Sequence, residues 1–398
     1  MKKLLLLLLL ILSFFSTQGI AASCPDGSDP VKTISADGTY FVYKCASDSN
    51  DGVSNSNEKT SNGNYIKGVN EDQWAIIEKI GDPLNCKQRI ERVKNAKVDA
   101  VVSHQQFLED PNIINRTIQK NNVTKLEAGD YRITSPINVG NRKTLIGEVG
   151  TRIISSDNWF SAIYIDDWGA IANLEIYNAK RSGIEVRSNT DTYNVIVRNT
   201  GINSPNNSIG DGYYSKGTSS SGNCVVSVEV LNGYNEIGSS EVTKKGGNAD
   251  GFTVKFGAHD ITFIDTHAHH NSDDGFDFWK GGASVDIAKN EPTIRIFYSS
   301  ANHNGKNPLT PNGDGNGFKF GSWDEYQKHK GKDNGDRLIY GSVACFNASK
   351  GFDRNKTSTN IIATNLNAVG NKRGFKDVPS YNTMTDPHTL KCSMFPTQ

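Results

Sequence analysis

Asn271-Ser272-Asp273-Asp274-Gly275-Phe276-Asp277 packs three carboxylates around a Gly-Phe pair. The pair follows an acid again in Asn248-Ala249-Asp250-Gly251-Phe252, and it precedes a lysine in Gly315-Asn316-Gly317-Phe318-Lys319. It returns at 351/352 and 374/375, so the spacings are 24, 42, 34 and 23 residues. Ala-x-x-Asn keeps step with it, at Ala268/Asn271, Ala301/Asn304, Ala344/Asn347 and Ala368/Asn371. A repeat of roughly 20–50 residues marks a solenoid. From Lys125 onward the units are short alternations such as Tyr131-Arg-Ile-Thr134 and Tyr193-Asn-Val-Ile-Val197, separated by Asn, Gly and Ser turns. These read as strands. The predicted fold is therefore all-β: a right-handed parallel β-helix from about residue 120 to 385.

The repeat also assigns faces. Side chains alternate along a strand. If Phe252, Phe276, Phe318, Phe352 and Phe375 point inward as a column, the next residues point outward: Thr253, Asp277, Lys319, Asp353 and Lys376. Coils lie about 4.8 Å apart, so Asp277 and Lys319 become lateral neighbours. The longer spacings leave room for loops at about 305–316 and 322–336, one on each side of Lys319. Asn271, Asn304, Asn347 and Asn371 fall at a turn, where an amide ladder would satisfy backbone groups.

The rest of the chain sets bounds. Met1-Lys2-Lys3, an apolar run from Leu4 to Phe15 and small residues through Ala22 read as a signal peptide, residues 1–22. The run is short for a membrane span. The expected product is secreted or periplasmic, soluble, monomeric and free of the membrane after cleavage. Residues 23–120 read as an N-terminal cap or subdomain, with a Ser/Asn/Asp-rich loop at Ser47–Asn64 and helical spacing over 72–80 and 87–98. Residues 121–398 form the β-helix domain and a C-terminal tail. The 398-residue chain balances 43 basic against 43 acidic residues, which argues against a nucleic-acid partner. Its 38 glycines and 36% hydrophobic content suit a turn-rich β protein. The six cysteines lack a Cys-x-x-Cys, so disulfides are favoured over a cysteine zinc site. Cys24 with Cys45 is the pairing that proximity suggests.

Asp250, Asp273, Asp274 and Asp277 offer oxygen-only ligands from adjacent coils. Ca²⁺ takes six to eight oxygens in irregular geometry. One such aspartate would read as an exposed turn residue; four at matched offsets favour a cation. Lys319 reads either as a member of a surface charge ladder or as a base. A base must be neutral at working pH; burial and a nearby cation would lower its pKa, and carboxylates would raise it. His267, His269 and His270 invite a metal reading, but no third zinc-like ligand is in place, and polar strand surface is the reading favoured.

In combination these motifs resemble those of the family 9 polysaccharide lyases, the pectate lyases of the right-handed parallel β-helix class. Leu126-Glu-Ala-Gly-Asp-Tyr-Arg-Ile-Thr-Ser135 resembles the opening coil of pectin-degrading β-helices. The resemblance covers roughly 125–380 and is strongest over 248–321. It implies a Ca²⁺ cofactor held by Asp250, Asp273, Asp274 and Asp277, with Lys319 as the proton-abstracting base. The reaction implied is β-elimination on an acidic polysaccharide, polygalacturonate or a related uronate polymer. Lys255, Lys280, Arg354 and Lys356 lie on or near the same face and are candidate cations for substrate carboxylates. Two rivals remain: a β-helix surface protein that binds acidic glycan through Ca²⁺ without cutting it, and a glycoside hydrolase using Asp273, Asp274 or Asp277.

Overall fold

The computed structural model describes residues 31–34, 41–44 and 66–394, apart from 67, 157–159, 202–209, 235–246, 280–291, 307–312, 322–335, 356, 358–359 and 379–385. Val31–Ile34 and Phe41–Lys44 pair antiparallel within a first compact unit ending at Asn64. Tyr65–Gln398 form a second unit.

The second unit is built on two parallel sheets that the chain visits in turn. A nine-stranded sheet begins at Ile137–Val139 and takes one short strand from each successive coil. Phe252–Lys255, Phe276–Asp277, Phe318–Lys319 and Lys350–Asp353 follow one another within it, and Arg373–Lys376 is its last strand. A fifteen-stranded sheet holds the longer strands, among them Ser221–Leu231 and His259–His269. Strands that stack in chain order without reversal make a parallel β-helix.

The long strands turn a corner without breaking. Asn173, Asn194, Ser227, Asp265, Tyr298, Gly341 and Asn365 align laterally, and every one has positive φ. A single left-handed residue redirects a strand, and Gly, Asn and Asp tolerate that conformation most readily. The corner is therefore marked in the sequence mostly by a scatter of small residues, with Tyr298 the exception.

The two sequence repeats prove to be one packed unit. The phenylalanine column is internal and stacked, with ring centroids 4.7 Å apart for Phe252 and Phe276, 4.5 Å for Phe276 and Phe318, and 5.0 Å for Phe318 and Phe352. Phe375 continues it at 5.1 Å. Asn271, Asn304, Asn347 and Asn371 form the expected ladder, each Nδ2 donating to the next Oδ1 at 2.8–3.0 Å. The glycine before each phenylalanine faces this ladder. A Cβ on Gly275 would lie 2.8 Å from both Ala301 Cβ and Asn304 Nδ2. Ala-x-x-Asn and Gly-Phe thus recur together because each fills the space that the other leaves.

The helical spacing seen in the cap becomes α1 (Glu71–Ile80) and α2 (Cys86–Lys94). Two further helices, α3 (His104–Glu109) and α4 (Ile113–Lys120), were not anticipated. Both α1 and α2 lie on the outer side of the fifteen-stranded sheet, where Trp74, Ile77 and Ile90 meet Val226, Ile264 and Phe297. Ile114 and Ile118 of α4 join the interior core. The sheet also starts earlier than the boundary near 120: Ala100–Val102 already pairs in parallel with Val123–Leu126. Disulfides join Cys86 to Cys224 and Cys345 to Cys392. Cys24 and Cys45 lie outside the described residues. Among the described residues, no helix is long and apolar enough to cross a membrane.

Candidate functional site

The acids and the lysine come together on the outer face of the nine-stranded sheet. Register makes this so: Thr253 pairs with Asp277, Asp277 with Lys319, and Lys319 with Asp353. Asp250 and Asp274 occupy the position before the glycine, at the start of the same strands. Lys319 Nζ lies 2.9 Å from Asp274 Oδ2, 4.0 Å from Asp277 Oδ1 and 3.3 Å from Asp314 Oδ2. Asp274 Oδ1 also accepts from the Asn316 backbone at 2.7 Å and from its side chain at 2.8 Å. Asp273 accepts from the backbone of Asn248 at 2.8 Å and of Asp314 at 2.5 Å.

The four predicted acids do not form one ring. They form two trios that share Asp274: Asp250, Asp274 and Asp277, and Asp273, Asp274 and Asp314, each with oxygens within 4.8 Å of one another. Asp314 was not foreseen, because it sits in a loop outside the repeat. Asp211 was also missed, although its signal was present. Asp211-Gly212-Tyr213 is the same acid-glycine-aromatic step with tyrosine in place of phenylalanine, and Tyr213 pairs with Phe252. Asp211 is fully buried and accepts the Asp250 backbone N–H at 3.0 Å. The column before the glycine therefore reads Asp211, Asp250, Asp274, Asn316, Lys350 and Arg373, acidic at one end and basic at the other.

Lys255 corrects an expectation. It was a candidate for gripping substrate, but it is 6% exposed and its Nζ lies 3.1 Å from Asp250 Oδ2 and 3.4 Å from Asp277 Oδ2. Two residues beyond Thr253, it points to the same face, and its ammonium is engaged inside the acid cluster. Arg354 directs its Nε to the Asp377 carbonyl at 2.7 Å. Lys280 and Lys356 lie outside the described residues, as do most of the two flanking loops. Toward the N-terminal coils the same face carries a cavity of 430 Å³, lined in part by Tyr164, Glu185, Arg187 and Lys216.

Six carboxylates thus face two ammonium groups in a largely buried site. Burial pushes Asp211 up to about 8, with the Asp250 charge adding to it against Lys255. Burial and the charge of Asp250 push Asp273 up to about 7, against Lys319. Asp250 and Asp274 are raised for the same reason. Burial works to lower Lys319, but Asp274, Asp277, Asp273 and Asp314 outweigh it and hold the amine well above its ordinary value. Asp277 Oδ1 is buried and has no hydrogen-bond partner. Oxygen-only donors, excess negative charge and a buried carboxylate oxygen without a hydrogen bond fit a hard divalent cation.

The histidines are not strand surface. His267, His269 and His270 are buried, with His267 Nε2 2.9 Å from Asp265 Oδ1 and His269 Nε2 2.8 Å from Glu229 Oε1. They form a buried polar network on the other sheet.

Residues 119–386 match the family model described as the Pel9A-like right-handed β-helix region. Pectate lyase PEL9 of Emericella nidulans (strain FGSC A4) is 32% identical over 160 residues, 37% of this chain and 38% of that protein. Pectate lyase L of Paenibacillus polymyxa (strain SC2) is 29% identical over 208 residues, 50% of this chain and 41% of that protein. The matched region spans about two-fifths of either relative's length. Among solved structures, the crystal structure of pectate lyase Pel9A superposes with a TM-score of 0.46 at 18% identity, covering 74% of this chain and 82% of that one. A rhamnogalacturonan lyase gives 0.42 at 17%, covering 62% and 66%.

Proposed function

Since the chain belongs to the Pel9A-like right-handed β-helix family, we propose that it is a secreted, calcium-dependent polysaccharide lyase that cleaves polygalacturonate or a related uronate polymer by β-elimination. The observation that carries this reading is Lys319 Nζ 2.9 Å from Asp274 in a buried cluster with more carboxylates than cations. A hydrolase or a simple binding surface has no need for that pairing.

Asp250, Asp273, Asp274 and Asp277 would hold the ion, with Asp314 beside them. Bound there, Ca²⁺ would draw charge from the substrate carboxylate and favour the neutral form of the Lys319 amine. The protein's own groups do the rest. Lys319 Nζ accepts the proton from C5, next to the sugar carboxylate. The electron pair left behind forms the C4–C5 double bond as the C4–O bond breaks, and the leaving oxygen takes a proton. Asn316 holds Asp274 through two hydrogen bonds, so the carboxylate nearest the base keeps one orientation. Lys255 keeps Asp250 and Asp277 together despite their repulsion. At the basic end of the column, Lys350 Nζ is held 2.6 Å from Asp353 Oδ2, which leaves the exposed Arg373 as the cation of that end that would meet a further carboxylate of the polymer. The hydrolase alternative fits less well. Its carboxyl pair stands about 5–9.5 Å apart around an open cleft, whereas oxygens within each trio here approach to within 4.8 Å, and Asp250, Asp273, Asp274 and Asp277 are buried.

The test is polygalacturonate incubated with the protein, in calcium and in chelator. An elimination releases a conjugated product that absorbs in the ultraviolet. New reducing ends without that absorbance would establish hydrolysis, and neither signal would leave only binding.

A further inference from the structure

A second cavity, of 270 Å³, lies on the outer side of the fifteen-stranded sheet, beside α2. Arg89, Arg92, Arg142, Trp168, Asn189 and Asp191 line it, so three guanidinium groups stand against one carboxylate. Arg89 forms the floor. It is buried, its Nε lies 2.7 Å from Asp191 Oδ1, and it donates to the Gly222 carbonyl at 2.6 Å and the Thr190 carbonyl at 3.1 Å. It is therefore fully engaged by the fold. Arg92, three residues further along α2, and Arg142 are exposed at the mouth.

Both exposed arginines stand on backbone that the fold ties down. The Cys86–Cys224 disulfide and the Arg89–Asp191 pair anchor α2 to the sheet. Arg142, Trp168, Asn189 and Gly222 form one laterally aligned turn column, and all four have positive φ. Gly and Asn suit that conformation; a tryptophan there is an outlier that calls for a reason. Trp168 is also 53% exposed and contributes nothing to the core. The Arg142 guanidinium sits 5.8 Å from its ring centroid. The other acids of its turn are engaged elsewhere: Asp166 lies 3.2 Å from Arg187, and Asp167 accepts the Ser188 backbone N–H at 3.0 Å.

A cleft with guanidinium forks at its mouth and a flat exposed indole on its wall matches a ligand with a carboxylate and a ring face. We propose that this cavity is a second carbohydrate site, which binds one acidic sugar unit with its carboxylate on Arg92 and Arg142 and its ring against Trp168. It lies on a different sheet from Lys319, about five coils toward the N-terminus, roughly 24 Å along the axis at the usual coil spacing. The choice of a uronate as the acid rests on the proposed function; the cationic, aromatic character of the cavity does not. A second site on the same polymer raises its local concentration at the first.

Trigalacturonate binding, measured by titration calorimetry on Lys319→Ala in chelator, tests this without turnover. Trp168→Asn keeps a residue that tolerates positive φ, and Arg92→Ala changes an exposed side chain, so both should fold. Each added substitution is expected to weaken binding about tenfold or more, the loss typical of a desolvated cation–ring or charge-assisted contact. Binding unchanged by either, or equal binding of the fully methyl-esterified trimer, would overturn the site. Ultraviolet assays of the wild type run in parallel. No elimination with trimer binding that depends on Trp168 would sink the lyase reading and leave this site standing.

Discussion

Lys319 is the residue on which the proposed chemistry turns, and its environment presents a contradiction. Four carboxylates hold it as an ammonium, yet a base must be neutral. The sign follows directly. A raised amine pKa means that the competent fraction grows with pH, so kcat/KM should rise into the alkaline range. Calcium should move that rise to lower pH by taking over the carboxylates; pH–rate profiles at two calcium concentrations that superimpose would break the link between ion and base. Lys319→Ala should lower turnover about 10²–10⁴-fold while calorimetry still detects calcium binding. Lys319→Arg should recover little, since a guanidinium stays protonated. Near-normal turnover in either variant would remove Lys319 from the mechanism. The sequence located this lysine through its place after Gly-Phe. It did not locate Asp314, because a loop residue has no register to read it by.

The coil repeat is held by contacts that alternate between strand and turn. Gly275 is a tight point: a Cβ there would meet Gly317 O at 2.7 Å as well as Ala301 and Asn304. Gly275→Ala should therefore destabilise the protein by about 1–3 kcal/mol, although alanine is the smallest change available. Asn304 accepts from the Asn271 backbone at 3.2 Å and side chain at 3.0 Å. Asn304→Ala leaves those buried donors unmatched and should cost at least about 2 kcal/mol. Urea denaturation measures both. Unchanged midpoints would mean that the ladder can repack, and that the Ala-x-x-Asn repeat has some other cause. Gly275 sits between Asp274 and Asp277, and Asn304 packs against that glycine, so activity should fall with stability.

For the molecule as a whole, the proposed calcium site would couple the ion to stability. Asp273 at about 7 and Asp211 at about 8 bind protons more tightly in the fold than in the unfolded chain, where aspartate titrates near 4. A group raised in this way contributes stability that is complete below the unfolded value and is lost as pH rises through the folded one. In chelator, Tm should therefore fall between about pH 5 and about pH 8. Calcium bound by the ionised acids, as proposed, should offset that loss, by about 2.7 kcal/mol at a hundredfold excess over Kd. The gap in Tm between calcium and chelator should widen with pH. A gap that stays constant or narrows across this range would place any bound calcium outside these aspartates.

Strand periodicity, the internal phenylalanine column, the amide ladder and the pairing of Asp277 with Lys319 were all legible in the chain, because a repeating coil converts sequence spacing into lateral contact. Other features depended on elements far apart in sequence. Lys255 reads as a surface cation until register places it between Asp250 and Asp277. The buried histidines read as strand surface until packing covers them. Arg92 and Trp168 share no repeat; a disulfide closing 138 residues and a turn with positive φ bring them to one cavity. Local pattern determines what recurs along a solenoid axis, whereas burial, and with it charge state, depends on what the fold lays over each coil.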